Sequence, residues 1–200
     1  MTEQTWRLSV VGDELAAGVG DPKGLGWVGR VAARTPAPVG SLGVFTLAVP
    51  GETTTAMSAR WEDEAGRRFH ADADNRLVVA LGRADVAANL SIARSRLNLA
   101  NVLDVAEQRR ISAFVVGPPP GPAAEAERTA ELSAAFADVT TRRRVPFVDT
   151  YTPLAQHEQW HADLASSDGR LPGQAGYGLM AWLVLHSGWS RWLGLPDDEN

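Results

Sequence analysis

Apolar residues recur along this chain in two alternating rhythms, short unbroken runs and longer stretches spaced by three and four. Leu8, Val10 and Val11 form the first run, as in a strand covered on both faces, and Gly12-Asp13-Glu14 breaks it where the backbone must turn. Residues 44–49, 77–81, 111–116 and 145–148 repeat the pattern and predict four more strands. Between them, Leu25, Val28 and Val31 mark one face of a short helix within 24–34, with Trp27 and Arg30 on another. Residues 52–68 are polar and Ala-rich, helical in part. Val86, Leu90, Ala93, Leu97, Ala100 and Leu103 predict one long helix ending near Arg110, and Leu132, Phe136 and Val139 mark the core face of the next. Tyr177, Met180, Ala181, Val184 and Leu185 form a last stripe, with Trp182, Trp189 and Trp192 beside it as packing residues. Pro- and Gly-rich residues 35–43, Asp-rich 70–75 and the GPPPGP of 117–122 read as loops, and 150–176 as a long connection.

Strands alternating with helices imply an α/β fold, a three-layer α/β/α sandwich around a parallel sheet, and right-handed crossovers leave a five-stranded flavodoxin-like order as the best fit. Two hundred residues without a long Pro/Gly/Ser linker are expected to form a single domain, 1–200. Charged residues at 22% and apolar ones at 44% suit a folded globular chain. A net charge of -5 without a basic stripe leaves no electrostatic footprint for nucleic acid. Arg142, Arg143 and Arg144 close a helix that begins with Glu125 and Glu127, which the helix macrodipole favours, so they read as helix stabilisation. The absence of cysteine excludes disulfides, thiolate catalysis and Cys-based metal sites. The opening MTEQTW has neither a basic nor an apolar leader segment, and no apolar run reaches membrane-spanning length, so no membrane span and a cytoplasmic location are expected.

Asp13 and Glu14 follow the first strand, at the sheet edge where ligands collect in open α/β folds. Gly18-Val-Gly20 runs into Asp21-Pro22-Lys23 instead of the third glycine of a dinucleotide fingerprint, and Lys23, the chain's one lysine, lies outside any Walker sequence. No phosphate cradle is expected.

Four blocks resemble, in order, those of the SGNH or GDSL hydrolases, an esterase and lipase family. Residues 11–21 are similar to the Gly-Asp-Ser turn, with Glu14 in the serine position; VPGETT, 49–54, to the block whose glycine, here Gly51, lends an oxyanion-hole N–H. LGRAD, 81–85, resembles Gly-x-Asn-Asp with Ala84 in place of asparagine; 168–181 resemble Asp-Gly-x-His-Pro-x-x-x-Gly-Tyr, keeping Asp168, Gly169, Pro172, Gly176 and Tyr177 but placing Leu171 where histidine stands. The resemblance implies the SGNH-hydrolase fold with the serine, asparagine and histidine replaced. Ester hydrolysis of that type needs a hydroxyl nucleophile, an imidazole and oxyanion donors, so the expectation is a protein that binds a small, ester-like molecule or a protein partner in the old cleft without hydrolysing it. The alternative is a working esterase or acyl hydrolase with a rearranged site, Glu14 acting with His157 or His161. Glu14 is expected to pair with Arg83 in preference to Arg170, because a shielded carboxylate needs a partner. No cofactor and no metal are expected; the one arrangement that would hold magnesium or calcium brings Glu14, Asp85 and Asp168 together.

Overall fold

The computed structural model describes residues 4–167 and 169–196. In chain order, β1 (Trp6–Gly12) leads to α1 (Gly26–Arg34), β2 (Leu42–Ala48) to α2 (Thr54–Gly66), and β3 (Asp74–Ala80) to α3 (Arg83–Ala87) and α4 (Ile92–Gln108). β4 (Ser112–Val116) precedes α5 (Ala126–Arg143), and β5 (Phe147–Val148) precedes α6 (Tyr151–Leu154), α7 (Glu158–Ala165) and α8 (Gln174–Val184). A kinked turn at Ser187 and Gly188 joins α8 to α9 (Ser190–Leu193). The strands form one sheet in the order β2-β1-β3-β4-β5, every neighbouring pair parallel. That is the expected flavodoxin-like order, and its reversal point lies between β1 and β3.

Alternation along the strands divides the core in two. Leu8, Val10, Val78, Phe114 and Val116 face one side with Trp27, Trp160, Tyr177 and Met180. Val11, Leu77, Val79, Ala113 and Val115 face the other with Met57, Trp61, Leu99, Leu103 and Phe136. Both faces of the sheet are covered, which explains the unbroken apolar runs. Each fully buried Val or Leu contributes about 1.5–3 kcal/mol by leaving water.

Three sequence expectations change. The long helix is two helices: Asn89 takes a left-handed φ of 55°, a conformation asparagine tolerates, and the Ser91 side chain caps α4 by accepting from the Arg94 N–H. The buried face of α4 is accordingly rephased to Ser95, Asn98, Leu99, Val102, Leu103 and Ala106, and Leu97 is 51% exposed. Asn98 sits among these apolar residues because its amide donates to the hydroxyls of Thr54 and Thr55 at 3.0 and 2.9 Å, tying α4 to α2. The connection after β5 is not bare: α7 buries Trp160, whose indole donates to the Pro120 carbonyl. Trp189 and Trp192 pack against Phe114, whereas Trp182 is exposed and stacks on His186.

Candidate functional site

Pairing of β1 with β2 and β3 sets Gly12 opposite Ala48 and Ala80, so the segments leaving these three strands meet at one edge. Gly12 permits the turn because a Cβ there would lie 2.5 Å from the Ala16 Cβ and 2.8 Å from the Ala80 carbonyl oxygen. Asp13 then points inward, 2% exposed, with Oδ1 accepting from the Leu15 N–H at 3.0 Å. Glu14, half-buried, reaches across to the segment after β2, where its Oε2 accepts the Gly51 N–H at 2.7 Å. Gly51 has a φ of 73°, which a side chain would strain.

The expected Glu14–Arg83 ion pair is corrected. Arg83 is 5% exposed, and its guanidinium donates instead to the Arg170 carbonyl at 2.6 Å. It packs so closely under the GPPPGP segment that a Cβ on Gly121 would meet it at 2.7 Å. A backbone carbonyl fixes the guanidinium and a backbone N–H fixes Glu14, so the two act on each other only through space. Burial lowers the Arg83 pKa, opposed by the charges of Asp13, Glu14 and Glu125. Burial, seconded by the neighbouring charge of Glu14, pushes the Asp13 carboxyl up to about 7, against the pull of the Leu15 N–H and Arg83. Arg170 pairs with Glu125 at 3.4 Å and not with Glu14.

An open cleft of about 280 Å³ lies outside these groups, between Glu14, Gly51, Arg83, Ala84, Glu125 and Arg170. Ala84, which follows β3 in α3, is among the lining residues. Asp85 does not turn toward it: both its oxygens are taken by Thr54, from N–H and hydroxyl at 2.7 Å each, so the divalent-cation trio is not assembled through this residue. Among the described residues no group of three histidines or carboxylates is placed to hold a metal. Leu171 is half-buried, packs on the core face that carries Tyr177, and has its carbonyl and N–H bonded by the Ser167 hydroxyl. Asp168 lies outside the described residues. His161 is exposed with a ring nitrogen 2.8 Å from the Ala155 carbonyl, and His157 starts α7; neither lines the cleft with Glu14.

A sequence model of the GDSL-like lipase/acylhydrolase family matches residues 10–179. The chain belongs to that family. No curated protein matches the sequence. Among solved structures it is similar to the psychrotrophic esterase EstA from Pseudoalteromonas sp. (TM-score 0.74, 15% identity, 94% of this chain and 98% of that one) and the lipase/acylhydrolase from Enterococcus faecalis (0.75, 21%, 94% and 97%). It is also similar to Axe2, an acetylxylan esterase from Geobacillus stearothermophilus (0.72, 16%, 98% and 98%). At these identities the likeness is one of fold.

Within the GDSL-like scaffold, residues to which the sequence reading gave no role at the site hold it in shape. Asp21 accepts from the N–H groups of Lys23, Leu25 and Gly26 and from Arg30, which holds its carboxyl well below the usual carboxylate range. It thereby caps α1 and closes the turn that began at Asp13. Its signal was legible as an acid just ahead of a proline and a helix start, with an arginine nine residues on. The Tyr177 hydroxyl donates to the Val19 carbonyl at 2.6 Å, and Asp163 accepts from the Gly176 N–H at 2.7 Å; the two bonds anchor α8 to the turn after β1 and to α7. Among the described residues, no helix is long and apolar enough to cross a membrane.

Proposed function

We propose that this GDSL-family chain is a binding protein on a hydrolase scaffold: it holds a small ester-like molecule, or a partner's side chain, in the cleft at the β1/β3 edge and does not cleave it by the serine mechanism. The observation that carries this reading is the 2.7 Å contact between Glu14 Oε2 and the Gly51 N–H. By the family resemblance, position 14 supplies the nucleophile and Gly51 a donor to the acyl oxygen. Here one side chain stands in the first role and occupies the second, so an incoming carbonyl meets a carboxylate where it would need an N–H. A carboxylate carries no hydroxyl to deprotonate, and Leu171 and Ala84 bring neither an imidazole nor an amide to the edge. Loss of a single oxyanion donor lowers rates by about 10² to 10³, and loss of triad members leaves about 10³ to 10⁴ over water in enzymes whose oxyanion hole is intact.

The cleft that remains is lined by Ala84, Ala87 and Ala88 and by the charged Glu14, Arg83, Glu125 and Arg170, suited to a ligand with a short apolar part and polar ends. The test is turnover of p-nitrophenyl acetate and butyrate together with labelling by a serine-directed phosphonate. Neither turnover nor an adduct is expected. Efficient hydrolysis by the unmodified protein that vanishes in Glu14→Ala or His161→Ala would overturn the proposal in favour of a rearranged catalytic site.

A further inference from the structure

Behind the cleft, on the core side of Arg83, lies a second and much smaller space of about 10 Å³. Its walls are nearly all apolar, from Leu15, Val116, Pro118 and Met180, but three polar side chains also line it: Asp13, Trp27 and Arg83. All three are deeply buried, at 2%, 1% and 5% exposure. Among the described residues neither the indole Nε1 of Trp27 nor the Nε of Arg83 has an acceptor, although both atoms are shut off from bulk solvent. Asp13 uses Oδ1 for the Leu15 N–H, which leaves Oδ2 as the acceptor of the trio. Buried polar groups are almost always satisfied, so two orphaned donors and a carboxylate around one small cavity describe a binding site.

We infer that this cavity binds a single ordered water, which accepts hydrogen bonds from Trp27 Nε1 and Arg83 Nε and donates one to Asp13. The size is at the threshold for one water molecule, and the donor count selects the occupant. A metal ion would be opposed by the Trp27 N–H and the Arg83 guanidinium, and a halide would face Asp13. Water both accepts and donates, so it satisfies all three: its two lone pairs take the N–H groups of Trp27 and Arg83, and an O–H donates to Asp13 Oδ2 both in the carboxylate and in the acid protonated on Oδ1. The bound molecule thereby fixes Arg83 from behind while the Arg170 carbonyl fixes it in front. The wall between cavity and cleft is thus held from both sides. The other titratable groups acting on Asp13 or on its neighbour Tyr177 are Glu14, Arg83 and Asp21, and Tyr177 itself comes from α8.

The test is direct. Water-to-protein cross-relaxation is measured on the full chain, with the Trp27 indole N–H assigned by the disappearance of its resonance in Trp27→Phe. A long-lived contact between that N–H and water is expected, and high-resolution diffraction is expected to place one water at roughly 2.7–3.2 Å from Trp27 Nε1, Arg83 Nε and Asp13 Oδ2. The Trp27 indole resonance should also shift with pH as Asp13 ionises and stay flat in Asp13→Asn. A dry cavity, an indole without a water contact, or the same pH-dependent shift in Asp13→Asn would each overturn the inference. Should Asp13→Asn not fold, the water contact in the unmodified protein decides alone.

Discussion

Asp13 makes stability itself a reporter of the site. Its carboxyl ionises near 3.8 in an ordinary setting and is pushed up to about 7 in the folded protein. Between those values the unfolded chain has released the proton and the folded chain has kept it, so folding becomes less favourable as pH rises through the window. The contribution is therefore greatest below pH 4, declines across the interval and is lost above 7. A window of about three pH units at about 1.4 kcal/mol each corresponds to roughly 4 kcal/mol. A hydrogen bond from a cavity water to the ionised form offsets up to about 2 kcal/mol of this, leaving roughly 2 to 4. Asp13→Asn removes the charge while its amide oxygen keeps the bond from the Leu15 N–H. Urea denaturation of both proteins at a series of pH values between 4 and 8.5 isolates the effect, because titrating groups that do not interact with Asp13 cancel in the difference. The variant is expected to gain on the unmodified protein by about 2–4 kcal/mol from the acid to the alkaline end. A difference constant to within about 0.5 kcal/mol, or one of opposite slope, would refute the assignment of Asp13 as the buried, proton-retaining group.

Two further outcomes follow from the hydrogen-bond pattern. Glu14→Ala frees the Gly51 N–H, and hydrogen exchange at that amide is expected to quicken at least roughly tenfold, since a bond to a charged acceptor contributes about 1.5–3 kcal/mol; unchanged protection would show that Glu14 does not hold it. Asp21→Ala strips three N–H groups and Arg30 of their acceptor, and chemical denaturation should show a loss of about 3 kcal/mol or more. Because the Asp21 carboxyl is held below its ordinary range, that loss is expected at neutral pH and should shrink as the solution is acidified below the ordinary carboxylate pKa.

The sheet was legible because its strands are buried on both sides, and runs such as Leu77, Val78 and Val79 have no other use in a chain this polar. The edge that carries the site was legible from Gly12 ending the first of these runs. What periodicity could not show was the break between α3 and α4: residues 86–103 satisfy a helical stripe on paper, but Asn89 and Ser91 offer the backbone a turn and a cap, and the pair wins locally. The polar pairing at the site was misread for a related reason. Opposite charges at neighbouring strand ends suggested Glu14 with Arg83, whereas each found a backbone partner, Gly51 N–H and Arg170 carbonyl, contributed by loops distant in sequence. Charge complementarity can be counted from a sequence; backbone groups, present at every residue, cannot be ranked as partners until the loops are placed.

Glu14, Asp13 and Arg83 form one electrostatic unit, and this bears on how the cleft came to hold a glutamate. Arg83 is buried between an acid behind it that keeps its proton to about pH 7 and a carboxylate in front. Of the Asp13 carboxyl's perturbations, burial is the largest and Glu14 the next, so the charge at position 14 helps Asp13 remain neutral near pH 7. Replacing Glu14 by a neutral serine would remove that push, let Asp13 ionise more readily, and return the Gly51 N–H to the cleft. The acid behind the wall would then neutralise Arg83 from the core side, and of the two carboxylates lining the cleft only Glu125, paired with Arg170, would remain. On the proposed reading, position 14 therefore does more than lack a nucleophile: it sets the charge of the cleft, the availability of its backbone donor and the protonation of the residue beneath it. A ligand suited to the present arrangement must tolerate a carboxylate at the Gly51 N–H, which an ester poised for attack does not.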